Sequence, residues 1–355
     1  MKTTSSQFAA PVVSVVIPAY RPDFQSLMGT IRSVRSQATK NLTVECLVVF
    51  DGFPERPVYD SLTAFADESR SDSFMLRVEG MPHAGVSAAR NRGTATARGT
   101  WLCYVDDDDQ LLPGALQALV SYGETHQCDV VQGSYETVAI HLRETHAYAD
   151  HDEVLTGDGK TRWLQDVLSP DKGASLVWSK IFRRDVIVDN AIRFDGTLVR
   201  GEDTVFVWDA SVAASTIGYI NFPVYQYRRS AESAVSGFNA AYCDQIMDAV
   251  LAMREHVKRC AGYTRFTGPF RTYVLYHLLL VDVHFVFNSN APWNNRQRRA
   301  IFSDVLAAPV FHSALTGNAP ASFGIAKKIT FWVLKLRLYG VNKAIAMVRM
   351  KQIAE

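Results

Sequence analysis

The feature that most constrains this chain is a repeated local pattern, a nearly unbroken apolar and β-branched run that ends in a polar turn. Val12-Val13-Ser14-Val15-Val16-Ile17 is the first such run and Val44 to Phe50 is the second. Strands covered on both faces read this way, as in parallel sheets, whereas strands with one wet face alternate. Between the two runs, from Asp23 to about Ala38, Phe24, Leu27, Ile31 and Val34 recur at helical spacing. The unit is therefore strand, helix, strand. Pro18-Ala19-Tyr20 turns the chain after the first strand, and Asp51-Gly52 ends the second. Parallel strands of this kind finish on one sheet edge, which is where open α/β sheets bind ligands.

The pattern continues with a helical stretch around Tyr59 to Ser69, a short strand around Phe74 to Val78, and the small-residue run Gly85-Val86-Ser87-Ala88-Ala89-Arg90-Asn91-Arg92-Gly93. Small side chains let a helix approach a sheet or ligand closely. That helix continues to Arg98 and stops at Gly99; the strand Trp101 to Val105 then delivers Asp106-Asp107-Asp108-Asp109. Four adjacent acids repel one another. Alone they read as a solvated turn, but beside Pro18-Ala19-Tyr20 and Asp51 they put a third polar strand end on the same edge.

From Leu112 to Thr125 the spacing is helical, and Asp129 to Gly133 reads as another strand. The polar segment from His141 to Gly159 reads as a loop. Trp178 to Phe182, Phe194, Gly201-Glu202-Asp203-Thr204, a helix over Val205 to Ala214, and Tyr225 to Ser230 complete this part. Beyond Ser236 the pattern turns wholly helical, with a boundary near Ser236-Gly237-Phe238-Asn239.

A chain of 355 residues that is 48% apolar can bury a large core with an appendage, and its formal net charge of +1 does not suit nucleic-acid binding. The five cysteines are odd in number, widely spaced and without a CxxC pair. They read as reduced core thiols of a cytoplasmic protein rather than a zinc site or disulfide framework. The run Val12 to Ile17 ends at Pro18 without a small-residue cleavage signature, which argues against a signal peptide. Tyr273 to Phe287 is interrupted by His277, Asp282 and His284, so a buried helix is expected there and no transmembrane segment.

Taken together, Ser14-Val15-Val16-Ile17-Pro18-Ala19-Tyr20, Asp51-Gly52, Gly85 to Gly93, Asp106 to Asp109, Glu202-Asp203 and Tyr227-Arg228 resemble the inverting glycosyltransferases of family 2, of the bacterial surface-polysaccharide type. The resemblance implies an α/β GT-A fold, with a Rossmann-like, mostly parallel nucleotide-binding sheet and a C-terminal helical region. It divides the chain into a catalytic domain over 1–236, donor-binding over about 11–135 and acceptor-binding over 136–236, and a helical region over 237–355. It also implies a nucleotide-sugar donor, with a UDP-sugar favoured, and a glycan or lipid-linked acceptor.

Carried onto matching positions, the resemblance puts Pro18, Tyr20, Asp51, Arg90 and Asp106 at the nucleotide, with Asp51 reading the base and Asp106 near the ribose. Asp108, with Asp106 as a second candidate, is similar to the ligand of a Mg²⁺ or Mn²⁺ ion on the diphosphate. Asp203 matches the general base with Glu202 supporting it, and Tyr227 and Arg228 stand at the diphosphate or acceptor. Three departures from the family pattern occur: Phe50 precedes Asp51, Arg21 follows Tyr20, and His83 stands where an Asn is usual. The chemistry explains the residue types. Negative charge builds on the departing diphosphate, and the acceptor hydroxyl needs a base during attack. One base opposite the leaving group gives inversion.

Each residue also has a plainer reading. Asp203 suits a helix N-terminus, Tyr227-Arg228-Arg229 a solvated strand end, and Arg90-Asn91 local pairing. Trp178 reads as a core aromatic, Lys180 as a surface or supporting cation, and His83 as a loop histidine. Phe331 to Tyr339 is apolar and basic, flanked by Lys327, Lys328, Lys343, Arg349 and Lys351, with Glu355 the only acid after Ala321. It suits either an interfacial helix on an anionic membrane, peripheral to the inner face, or an amphipathic helix packed on the protein. Two further functions compete. A non-catalytic nucleotide-sugar-binding scaffold would tolerate loss of Asp203 or Asp108, yet both are present. A sugar nucleotidyltransferase would carry a Gly-rich basic loop where Pro18-Ala19-Tyr20-Arg21-Pro22 stands.

Overall fold

The computed structural model describes residues 11–139, 142–229 and 237–354. Two compact units emerge. One comprises Met1–Val167, Lys172–Thr197 and Glu202–Ser230; the other comprises Leu168–Asp171, Leu198–Gly201 and Ala231–Glu355. The boundary expected near Ser236 lies outside the described residues.

The first unit is built as β1 (Val13–Ala19), α1 (Phe24–Arg35), β2 (Val44–Asp51), α2 (Arg56–Ser69), β3 (Phe74–Met81), α3 (Val86–Thr96), β4 (Trp101–Tyr104) and β5 (Gln110–Leu111). It continues with α4 (Ala115–Thr125), β6 (Val130–Ala139), β7 (Leu142–His146), β8 (Glu153–Leu155), α5 (Gly157–Val167), β9 (Lys180–Arg183), α6 (Arg184–Asp189), α7 (Glu202–Ala213) and β10 (Ile217–Arg228). The sheet order is β3-β2-β1-β4-β9-β6-β10-β5, with β7 paired to β6 and β8 to β10. β1 pairs in parallel with both β2 and β4, so Ala19, Asp51 and Tyr104 end on one edge, as the apolar runs predict. β9 runs against β4 and β6, while β10 runs parallel to β6.

Every residue of β1 and β2 is buried, which is why neither alternates. Within β2, Glu45 accepts from Ser14 Oγ at 2.6 Å and from Arg77 Nη1 at 2.7 Å. A buried carboxylate is tolerated when it is paired and hydrogen-bonded in this way. Pro18 is a buried strand residue rather than part of the turn; the reversal falls at Tyr20 and Arg21, whose φ of 46° is left-handed. Close helix approach accounts for Gly93, where a Cβ would sit 2.3 Å from Val16 Cγ1. The segment from His141 to Gly159 is not the loop expected: it holds β7, β8 and the start of α5. β7 is an exposed hairpin partner at the sheet margin, so its residues Leu142-Arg143-Glu144-Thr145-His146 carry no buried face to betray it.

The second unit holds α8 (Tyr242–Arg259), α9 (Thr267–Val281), α10 (Asn295–Ala307), α11 (Pro309–Ala314), α12 (Ile325–Lys335) and α13 (Tyr339–Ala354), helical as the sequence predicts. Tyr273 to Phe287 is α9 followed by a π-turn over Asp282–Val286, its apolar side buried within the bundle. Among the described residues no helix is long and apolar enough to cross a membrane.

Candidate active site

The acidic turn after β4 is fixed from three directions. Thr30 Oγ1 on α1 donates to the carbonyls of Asp107 (3.0 Å) and Asp109 (2.7 Å). Tyr225 Oη on β10 donates to Asp109 Oδ2 at 2.7 Å and accepts from the Asp106 N–H at 3.2 Å. The Arg228 N–H donates to Asp109 Oδ1 at 2.8 Å. Asp109 is thus the buried carboxylate that builds the turn; burial, then Asp106, pushes its carboxyl up to about 8. Asp107 is pushed up to about 7 by burial and by Asp108 and Asp106, and Asp108, at the rim of the turn, is raised by partial desolvation and by Asp106 while Arg228 opposes.

Asp106 faces the other way, toward a buried arginine. Arg90 lies on α3, 4% exposed. Its Nη2 donates to Asp106 Oδ1 at 3.0 Å, and its Nη1 donates to Asp203 Oδ1 at 2.7 Å and Glu202 Oε1 at 3.3 Å. Burial works against the guanidinium charge, but Asp203, Asp106 and Glu202 outweigh it and hold Arg90 protonated. One cation therefore serves three carboxylates and leaves the cluster net negative. The neighbouring Asn91 fixes the 194 segment by accepting from the Phe194 N–H at 2.9 Å and donating to the Phe194 carbonyl at 2.8 Å. The Phe194 ring in turn lies under the Arg90 guanidinium, 5.3 Å away.

Glu202 and Asp203 form the first turn of α7, where the helix dipole favours acids. Although 26% of the Asp203 side chain remains open, burial raises its carboxyl above the ordinary carboxylate range. Arg90 opposes the rise, and Glu202 and Asp106 add to it. Lys180 is also close enough to be felt. It is fully buried, its Nζ donates to the Leu176 carbonyl, and burial brings it down to about 7 while Asp203 pulls it up. The surface position allowed for Lys180 is thus corrected: β9 is an interior strand.

At the far end of the edge, the Asp51 carboxylate accepts from the Ala84 N–H (2.6 Å), the Gly85 N–H (3.0 Å) and His83 Nδ1 (2.8 Å). The base-reading carboxylate of the resemblance is therefore 5% exposed and already engaged by the loop before α3. The His83 ring stacks on Tyr20 at 4.6 Å and 24°, and both side chains face outward, Tyr20 49% exposed. Because a carboxylate oxygen faces Nδ1, the ring proton is assigned there, and Nε2 is the acceptor of the neutral ring.

The structure thus brings Tyr20, Asp51, Arg90, Asp106, Asp108, Glu202 and Asp203 to the edge the sequence predicts. Arg90 and Asn91, for which local pairing is the plain reading, pair across the fold instead. Arg90, expected at the nucleotide, has its guanidinium spent on acids, and Pro18 is covered inside β1. Tyr227 stacks on Trp178 at 5.7 Å and 9°, and Arg228 reaches the turn through its backbone with its side chain exposed. Thr30 and Tyr225 lie outside the motifs, and His83, which stands where the family usually has Asn, is bound to Asp51 rather than being a plain loop histidine. For Tyr225 the available signal was its place one step out of phase with Gln226 in a strand that must cover the acidic turn.

The model of the family described as glycosyl transferase family 2 matches residues 14–183. EpsH of Bacillus subtilis (strain 168) is 24% identical over 343 residues, covering 92% of both chains. The uncharacterized glycosyltransferase YibD of Escherichia coli (strain K12) is 29% identical over 222 residues, and the match spans 61% of this chain and 60% of YibD. Among solved structures, S. aureus TarS 1–349 in complex with UDP-GlcNAc superposes with a TM-score of 0.68 at 16% identity, covering 96% of this chain and 92% of that one. This likeness shows the GT-A fold. The motifs, the sheet edge and the family match agree, and over residues 14–183 the chain is similar to the glycosyltransferases of family 2.

Proposed function

We propose that the protein is an inverting glycosyltransferase that moves a sugar from a nucleoside-diphosphate sugar, a UDP-sugar by preference, to a hydroxyl of a glycan or lipid-linked acceptor in surface-polysaccharide synthesis. The observation that carries the reading is Arg90, which ties Asp203 and Glu202 to Asp106. It couples an acid of the donor-side turn to the acid at the start of α7. In this reading Asp203 takes the acceptor proton as the hydroxyl attacks, and its raised carboxyl makes it a stronger base than an ordinary carboxylate. Arg90 orients Asp203 and keeps it ionised enough to act. Attack from the side of Asp203, opposite the diphosphate, inverts the anomeric centre.

Tyr20 offers a stacking face for the base, and Asp51 acts on the base through His83, whose Nε2 accepts from a ring N–H such as uracil N3–H. That TarS was crystallised with UDP-GlcNAc supports a UDP-sugar of this general kind. Asp108, with Asp106 beside it, would hold a Mg²⁺ or Mn²⁺ ion that neutralises the diphosphate when bound. The fit rests on the donor set: adjacent hard carboxylate oxygens, with the Asp108 carboxyl raised by desolvation and by the like charge of Asp106. Among the described residues no three such side chains converge as a cage. Such ions usually take one or two carboxylates and complete their shell with waters and substrate phosphates. The reading places the protein at the cytoplasmic side of the membrane, where lipid-linked acceptors are built.

Turnover and thermal shift with a panel of nucleotide sugars, with Mn²⁺ and with chelator, test it. Transfer from one UDP-sugar, lost on chelation and restored by Mn²⁺, is expected. Binding of donors without any hydrolysis or transfer would favour a non-catalytic scaffold, and full activity in chelator would remove the metal.

A further inference from the structure

The last two helices carry an exposed surface that is both apolar and basic. Among the described residues nineteen large apolar side chains are exposed, and eight of them lie between Ile325 and Val348. On α12 and its cap they are Ile325 (81% exposed), Ile329 (53%), Trp332 (42%) and Leu336 (61%). Steps of four, three and four residues align them in one stripe about 60° wide at about 100° per residue. Thr330, Phe331 and Leu334 are buried on the opposite side, so the helix is held by one face and presents a second apolar face to solvent.

Charge accompanies the stripe. No acid occurs between Ala321 and Glu355, while Lys328 and Lys335 border the stripe on one side and Arg337 follows it. Lys327 is taken by Asp171 and Arg349 by Thr330, but among the described residues neither Lys328 nor Arg337 meets an acid. Arg337 is also placed against its backbone preference. α12 closes with the Arg337 N–H on the Leu334 carbonyl (3.0 Å) and the Leu338 N–H on the Val333 carbonyl (3.0 Å), with Arg337 at φ 54°. This is the helix end at which glycine is usual, and the chain has a cation there instead.

We propose that this stripe is the face by which the protein docks on an anionic lipid bilayer, with α12 lying along the surface. Ile325, Ile329, Trp332 and Leu336 enter the boundary between headgroups and acyl chains, and Lys328 and Arg337 meet lipid phosphates. A second copy of the chain fits poorly, since two acid-free basic faces would repel. The inference rests on the inner-membrane reading for its purpose, but its test needs no donor or acceptor.

The test is co-sedimentation of the full chain with phosphatidylcholine vesicles, with and without phosphatidylglycerol. Binding at least about tenfold tighter to the anionic vesicles, weakened by salt, is expected. The variant Ile329→Gln/Trp332→Gln/Leu336→Gln alters only exposed positions, so it keeps its melting temperature and loses that binding. Arg337→Gly keeps the helix end and weakens binding about fivefold. Equal binding by wild type and the triple variant overturns the proposal, as does no binding by wild type. A wild-type dimer that the triple variant dissolves, with vesicle binding unaffected, assigns the face to a second copy. Donor turnover on the same preparations reports separately on the transfer reading.

Discussion

Arg90 Nη1 lies 2.7 Å from Asp203 Oδ1 although 113 residues separate the two in the chain. A guanidinium this buried has no solvent to fall back on, so its partners determine both its own cost and theirs. Arg90→Ala would leave Asp106, Glu202 and Asp203 without their shared cation. We expect a loss of about 3 kcal/mol in urea unfolding, the usual scale for breaking a buried pair from one side. The acid limb of the kcat/KM profile should move to higher pH, because Arg90 is what holds Asp203 down. Arg90→Lys, which retains charge but not the fork, should fall between; a profile unmoved in both variants would detach Arg90 from the base.

Tyr225 bridges Asp106 and Asp109 through one hydroxyl. Tyr225→Phe should cost about 1–3 kcal/mol, because a buried acceptor on Asp109 loses its donor. Donor KM should rise as well, since the turn bearing Asp108 loosens. A stability loss with unchanged KM would mean that the hydroxyl only holds the fold.

His83 separates recognition from chemistry. His83→Ala should raise the donor KM about tenfold while changing kcat much less, if, as proposed, the ring meets the base and not the reacting centre. It should also erode preference for UDP over CDP, whose ring presents an acceptor where uracil presents N3–H. An unaltered nucleotide preference in the titration of UDP and CDP would return base reading to Asp51.

Asp282 tests the helical unit independently. It is buried, its Oδ1 accepts from Asn342 Nδ2 at 2.6 Å, and burial pushes it up to about 7. A carboxyl raised on folding binds its proton more tightly in the native state, so stability falls as pH climbs from about 4 through 7. Asp282→Asn removes that dependence. It should raise stability by about 1–2 kcal/mol at high pH and change little in acid, helped by an amide donor beside the unpartnered Asn342 Oδ1. Thermal melts of both proteins across that range would show it, and parallel curves would contradict it.

What could be read in the sequence was what is local and periodic. β1 and β2 are legible because burial on both faces leaves an unbroken apolar run, and the turns at Tyr20 and Asp51 follow from where those runs stop. Asp107 and Asp109 cannot be told apart by spacing; the distinction is made by Tyr225 and Arg228, which lie far away in the chain. The partners of Arg90 are equally hidden, since an arginine in a small-residue helix reads as locally paired until α7 arrives beside it. β7 escaped because an exposed edge strand has no apolar face to show, and Lys180 because nothing in its neighbours' types reveals that β9 is interior.

The most direct measurement of the central claim is transfer by Asp203→Asn beside the affinity of the same variant for UDP-sugar. The amide retains an oxygen for Arg90 but cannot take a proton. The account predicts a fall in kcat of about 10² to 10⁴ with donor affinity near that of wild type, and a smaller fall for Glu202→Gln. Full transfer by Asp203→Asn would contradict it.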